Sequence, residues 1–184
     1  MRYLKVFAQG RGGRDHTDKI VARFYQRDNC GADQLMHEEI AFNLDREGEY
    51  EHGLYDLHLS GDINGDGKED FLDQRIFNSF VNVFMLLGWF DFCAGHSHCL
   101  TMHVKHYSAN GKPNAIQLNF IERSGEQETL VYKASAYDGD GDAVMDSFTN
   151  TDVNRSGKVD ELDKALIRVL CKFFLEFKWY AHKE

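Results

Sequence analysis

Apolar and polar residues alternate over several stretches of the chain. Ile116, Leu118 and Phe120 are separated by Gln117 and Asn119, the period of a strand with one buried face. Met102 to Tyr107 precedes them as a second strand, and Asn110-Gly111-Lys112-Pro113 supplies the turn between the two. A third strand is expected over Thr129 to Tyr137. Nearer the N-terminus, Tyr3 to Ala8, Lys19 to Gln26 and Leu35 to Leu44 carry the same signature. Two stretches change period: Leu72, Ile76, Phe80, Phe84 and Leu87, and later Leu162, Leu166, Leu170, Phe173, Phe174 and Phe177, recur at helical spacing. Wide apolar stripes of this kind need a surface to cover, either each other or the strands.

The later elements echo the earlier ones. Asp62-Ile63-Asn64-Gly65-Asp66-Gly67-Lys68 corresponds to Asp152-Val153-Asn154-Arg155-Ser156-Gly157-Lys158 at an offset of 90 residues. The same offset pairs Leu72 with Leu162, Asp73 with Asp163, Phe84 with Phe174 and Trp89 with Trp179. With small shifts, Ile20, Phe24 and Arg27 align with Ile116, Phe120 and Arg123. The expected fold class is therefore α+β: a tandem pseudo-symmetric repeat, each copy antiparallel strands followed by a loop and a long helix. Residues 1–92 form the first copy and 93–184 the second, over one shared core.

Both loops place oxygen-bearing side chains at positions one, three, five, nine and twelve, with glycine at six, where a positive φ is needed. The first offers Asp62, Asn64, Asp66, the Lys68 carbonyl, Asp70 and Asp73. The second offers Asp152, Asn154, Ser156, the Lys158 carbonyl, Asp160 and Asp163. Several hard oxygens within one sharply turned segment suit a hard divalent cation. The competing reading is that of Asp/Asn/Gly turns that cap helices; two copies in register before matching helices weigh against it. Both segments resemble EF-hand loops, and Gly61 to Lys68, with Asp at position twelve, is most similar to a dockerin-type loop. The resemblance implies two Ca2+ sites, the first tighter because it holds four carboxylates against three. Asp at twelve in place of Glu implies monodentate coordination. Glu69 stands at position eight of the first loop, where such loops carry an aliphatic residue like Val159. Dockerin loops lie close together in the chain, whereas these are 90 residues apart, so a metal site is implied and a cohesin-binding module is not.

Charge supports a local role for acidity. The formal net charge is −9, and setting aside the seven carboxylates among the candidate ligands leaves −2. The balance argues against nucleic-acid binding. Hydrophobic content of 42% with a single proline describes an ordered globular protein. Ile76 to Phe92 is too polar for a membrane span, and the first ten residues lack the apolar core of a signal peptide, so a cytoplasmic protein is expected.

Other constellations carry less. Asp138, Asp140 and Asp142 read as a solvated turn, with a further ion as the alternative. Cys93, His96, His98 and Cys99 read as a linker, with zinc the alternative. Gly10 to Arg14 reads as a flexible connection, and Cys171 as a buried thiol. His37, His52, His58, His103 and His106 are scattered, and no familiar catalytic motif occurs. Three functions remain open: calcium that locks a module binding another protein, a calcium sensor exposing apolar helix surface to a partner, and an enzyme with a site near the His/Cys linker.

Overall fold

Alternation along β1 (Arg2–Gln9) decides the architecture. Leu4, Val6 and Ala8 are buried on one face, while Tyr3, Lys5 and Phe7 lie half-buried on the other. The same division runs through β2 (Lys19–Arg27), β3 (Asp33–Asn43), β5 (His96–Tyr107), β6 (Pro113–Ser124) and β7 (Gln127–Tyr137). Two short strands, β4 (Tyr55–His58) and β8 (Ser147–Phe148), complete an antiparallel sheet in the order β4-β3-β2-β1-β5-β6-β7-β8. The computed structural model describes residues 1–9, 19–43, 55–58, 61–89, 96–142 and 144–180.

The helices α1 (Phe71–Met85) and α2 (Glu161–Glu176) bury their apolar stripes in one cluster with Leu4, Val6, Phe24, Leu100, Met102, Leu118 and Phe120 of the sheet. Phe77, Phe80, Phe84 and Phe174 have no exposed surface, and each such ring stabilises the fold by about 1.5–3 kcal/mol. Phe177, just beyond α2, meets Phe80 edge-on at 5.2 Å and Phe24 at 5.8 Å, tying α1, α2 and β2 together. The two tryptophans cross the molecule. Trp89, after α1, packs against Phe120 and Tyr132 at 5.6 and 5.3 Å and donates its indole N–H to the Cys99 carbonyl. Trp179, after α2, lies 5.6 Å from Phe24 and donates to the Tyr25 carbonyl.

This arrangement corrects the expected tandem repeat of strands plus long helices. Strands from both halves of the chain share one continuous antiparallel sheet, and the described residues hold only two helices, of 15 and 16 residues. Sequence correspondence between the loops reports local backbone geometry. It does not say where the strands on either side will pair. The free edges of β1 and β5 carry unpaired N–H and C=O groups, and the two strands take each other as partners, with Leu4 opposite Met102 and Val6 opposite Leu100. A second correction concerns the segment read as a linker: His96 to Cys99 are part of β5 and pair with Glu122, Arg123 and their neighbours on β6.

Candidate metal-binding loops

Each candidate loop ends on the first turn of a helix, and its last acidic residue serves both. Asp70 caps α1 by accepting from the Leu72 amide at 2.8 Å, and Asp73 returns the bond by accepting from the Asp70 amide at 3.0 Å. This reciprocal capping box satisfies amides that a helix start leaves without partners. Asp160 and Asp163 do the same for α2, at 2.9 Å each. The capping reading of these aspartates thus accounts for part of the geometry.

The rest of the loop lies beyond capping. Asp73 is wholly buried, and its Oδ1 also accepts from the Ile63 and Asn64 amides, both at 3.0 Å, ten and nine residues away. Asp62 accepts from the Asp66 and Gly67 amides at 3.0 and 2.7 Å. Asn64 accepts from Asp66 and Asp66 from Lys68, at 2.9 Å each. Every bond has its counterpart in the second loop. Buried Asp163 accepts from Val153 and Asn154 at 2.8 and 3.2 Å, Asp152 from Ser156 and Gly157 at 3.0 and 2.8 Å, and Asn154 from Ser156 at 3.0 Å. The Lys158 amide reaches the Ser156 hydroxyl at 3.4 Å, a longer bond than its counterpart. Gly67 and Gly157, at position six, have φ of 88° and 84°.

Lone pairs decide what remains for a cation. A carboxylate offers about four acceptor sites. Oδ1 of Asp73 takes two amides and is filled, while Oδ2 takes one, so a single site is left. In the second loop the Ser156 hydroxyl donates to the Lys158 carbonyl at 3.0 Å, taking one of the two lone pairs of the oxygen that position seven would contribute. Val159 at position eight is 49% exposed, and no strand joins the two loops among the described residues.

The one described group of three His, Cys, Asp or Glu side chains with ligand atoms within 4.8 Å of one another is Asp138, Asp140 and Asp142. These follow β7, and Asp140 and Asp142 are exposed. Their oxygens accept from the Gly141, Asp142 and Val144 amides, and Asp146 accepts from Gly139. The two twelve-residue loops, with four and three carboxylates among their candidate ligands, do not bring three of them that close.

The cysteine and histidine grouping is pulled apart by the strand. His98 faces the core, its ring 4.5 Å from that of Trp89. Neighbouring side chains on a strand point to opposite faces, so Cys99 lies on the other side of the sheet, where burial pushes its thiol up to about 11. Cys171 is buried in α2, and burial raises its thiol as well. Cys93 and the Gly10–Arg14 segment lie outside the described residues. His37 lies against buried Glu39, a pairing of which the five scattered histidines in the sequence gave no sign. Among the described residues no helix is long and apolar enough to cross a membrane. No model of a known protein family matches the chain, and neither a curated protein nor a solved structure does.

Proposed function

We propose that the protein binds Ca2+ at the Asp62–Asp73 and Asp152–Asp163 loops, and that the ions lock the fold of a module that binds another protein. The observation that carries this reading is the bond-for-bond agreement of the two loops, which includes the Asp62/Asp152 and Asn64/Asn154 bonds that helix capping does not require. The structural role follows from position. Asp73 and Asp163 tie the first residues of each loop to the first turn of each helix, so an ion between loop carboxylates would relieve their repulsion and fix the helix entry. A cytoplasmic location belongs to the same reading. Cys30, Cys99 and Cys171 are free thiols, as a reducing compartment would keep them.

Isothermal calorimetry with Ca2+ tests it. Two bound ions are expected, one lost in Asp62→Ala and the other in Asp152→Ala. No heat from the metal-free chain would refute the reading, and a stoichiometry above two would direct attention to Asp138, Asp140 and Asp142. Chelation separates the structural role from a sensor. Loss of cooperative melting in EGTA supports the lock, whereas a folded apo form that binds a hydrophobic dye supports signalling.

A further inference from the structure

The buried face of β3 carries a pair of groups that the calcium loops leave unexplained. His37, Glu39 and Ala41 point toward the helices, opposite Phe24, Ala22 and Ile20 of β2. At the matching places on β7, opposite Phe120 and Leu118, stand Tyr132 and Ala134. A carboxylate thus occupies a core position where its counterpart is a methyl group. The Glu39 side chain has no exposed surface, and His37 Nε2 lies 2.5 Å from its Oε1. The contact is off the hydrogen-bond direction: Nε2 of His37 and both carboxylate oxygens of Glu39 are buried without a hydrogen-bond partner. Leaving such a carboxylate unsatisfied is among the costlier arrangements a core can hold.

The chain entering the first loop presses on this pair. A Cβ on Gly61 would stand 2.7 Å from His37 Cε1, 3.3 Å from Nε2 and 3.5 Å from Glu39 Oε1. Gly61 is not in the left-handed region, so glycine is required here for close approach and not for its φ. The backbone therefore closes one side of the pair, while the His37 ring, 29% exposed, faces solvent on another.

We propose that His37 and Glu39 form a site for a borderline divalent cation of the zinc class, distinct from the two calcium loops. One imidazole nitrogen and one carboxylate on alternate residues of a strand make a mixed N/O donor set, which suits zinc and its neighbours and not calcium, an ion needing six or more oxygens. Bound tetrahedrally, the ion would set the two donor atoms about 3.3 Å apart, an opening supplied by rotation of the part-exposed His37 ring. Water would complete the coordination, and the ion would set its charge against the buried Glu39 carboxylate, which otherwise meets the His37 imidazole. With two protein ligands the affinity is expected in the micromolar range and not the nanomolar range of closed four-ligand sites.

Cobalt titration of the calcium-saturated full chain tests this, with the visible d–d bands as readout and zinc competition as control. Wild-type protein is expected to take up one Co2+ that Zn2+ displaces. His37→Ala and the isosteric Glu39→Gln should each weaken uptake at least tenfold while the Ca2+ isotherm, which reports the fold, is retained. His98→Ala should leave cobalt uptake unchanged. Zinc should also raise the melting temperature of wild type and not of His37→Ala. Absence of cobalt bands in the wild type, or uptake persisting in Glu39→Gln or His37→Ala, overturns the proposal.

Discussion

Replacing Asp73 by Asn separates the scaffold from the ion, because the two effects are read in different conditions. The buried carboxylate accepts three amide bonds, from Ile63, Asn64 and Asp70, each at 3.0 Å. An Asn oxygen can keep the two amides on Oδ1. Its NH2 then meets the Asp70 amide, donor against donor, so the capping box is broken and a polar group is left without a partner. Losing one charge-assisted bond costs about 1.5–3 kcal/mol, and weakening the other two, now made to a neutral group, adds to it. The expected loss in EGTA is therefore about 3 kcal/mol. For a chain of this size, with an m-value of about 2 kcal/mol/M, the urea midpoint should fall by roughly 1.5 M.

Asp62→Asn is the matched control. Asp62 takes its two amides at a partly exposed site and has no part in the capping box, so the same substitution should cost less than about 1 kcal/mol without metal. In Ca2+ the order of interest changes. An ion held at a hundred times its Kd stabilises by about 2.7 kcal/mol, and both variants should lose most of the increment contributed by the first loop. Urea unfolding monitored by circular dichroism, in EGTA and in millimolar Ca2+, gives all four numbers. Asp73→Asn within about 0.5 kcal/mol of wild type in EGTA would refute the buried three-bond account. Asp62→Asn retaining the full calcium increment would remove the ion from the first loop.

Three further outcomes follow from the geometry. The first loop should bind Ca2+ more tightly than the second, since it has the additional carboxylate and the Ser156 hydroxyl competes for the Lys158 carbonyl; calorimetry of Asp152→Ala against Asp62→Ala ranks them. Gly67→Ala should cost about 1–2 kcal/mol, because φ is 88° and no atom lies within 4 Å of the added Cβ, so backbone conformation alone is at issue; a cost near zero in thermal melts would contradict this. His103 is held below its ordinary 6.5, chiefly by burial and then by Lys105, Lys133 and Arg27. Its folded value lies under its unfolded one, so the stability it contributes is present above pH 6.5 and is lost as the pH falls through the folded value. His103→Gln should flatten that part of the stability profile, as urea midpoints between pH 7 and pH 5 would record.

What the sequence revealed was local. Loop turns, capping residues and helix stripes depend on spacings within about a dozen residues, so the matched turns over Asp62 to Asp73 and Asp152 to Asp163 could be read directly. Leu72 and Leu162, taken for core positions, are 47% and 56% exposed, because the first turn of each helix turns Asp73 and Asp163 inward instead. The continuous sheet was hidden because nothing in the β1 or β5 sequence marks which edge it will meet. His96 to Cys99 were misread as a linker because their small and polar residues mask a strand whose alternate members, His98 and Cys99, serve opposite faces. Glu39 was equally hidden. Its neighbours Ala22 and Gly61 come from distant parts of the chain, and only the register of β3 brings them to the same place.

The two loops are joined through α1, and that connection makes a final prediction. The helix begins at the first loop and ends against the second: a Cβ on Gly88 would lie 3.4 Å from the Asn154 carbonyl, and the Arg155 guanidinium sits 5.5 Å over the Trp89 ring. Arg155 itself holds a φ of 57°, where an L side chain is disfavoured, so an ion that pulls on Asn154 and Asp152 should shift the cation over the indole. Trp89 is therefore placed to report the loop distant from it in sequence. In a Trp179→Phe background, its fluorescence should respond to Ca2+ with the affinity of the second site, lose that response in Asp152→Ala, and keep it in Asp62→Ala. Because coupling free energy is reciprocal, rigid transmission along α1 would make occupancy of the first loop change the affinity of the second by the same factor as the second changes the first. A Trp89 signal that follows the first loop alone would break the chain of contacts from Asn154 to the indole.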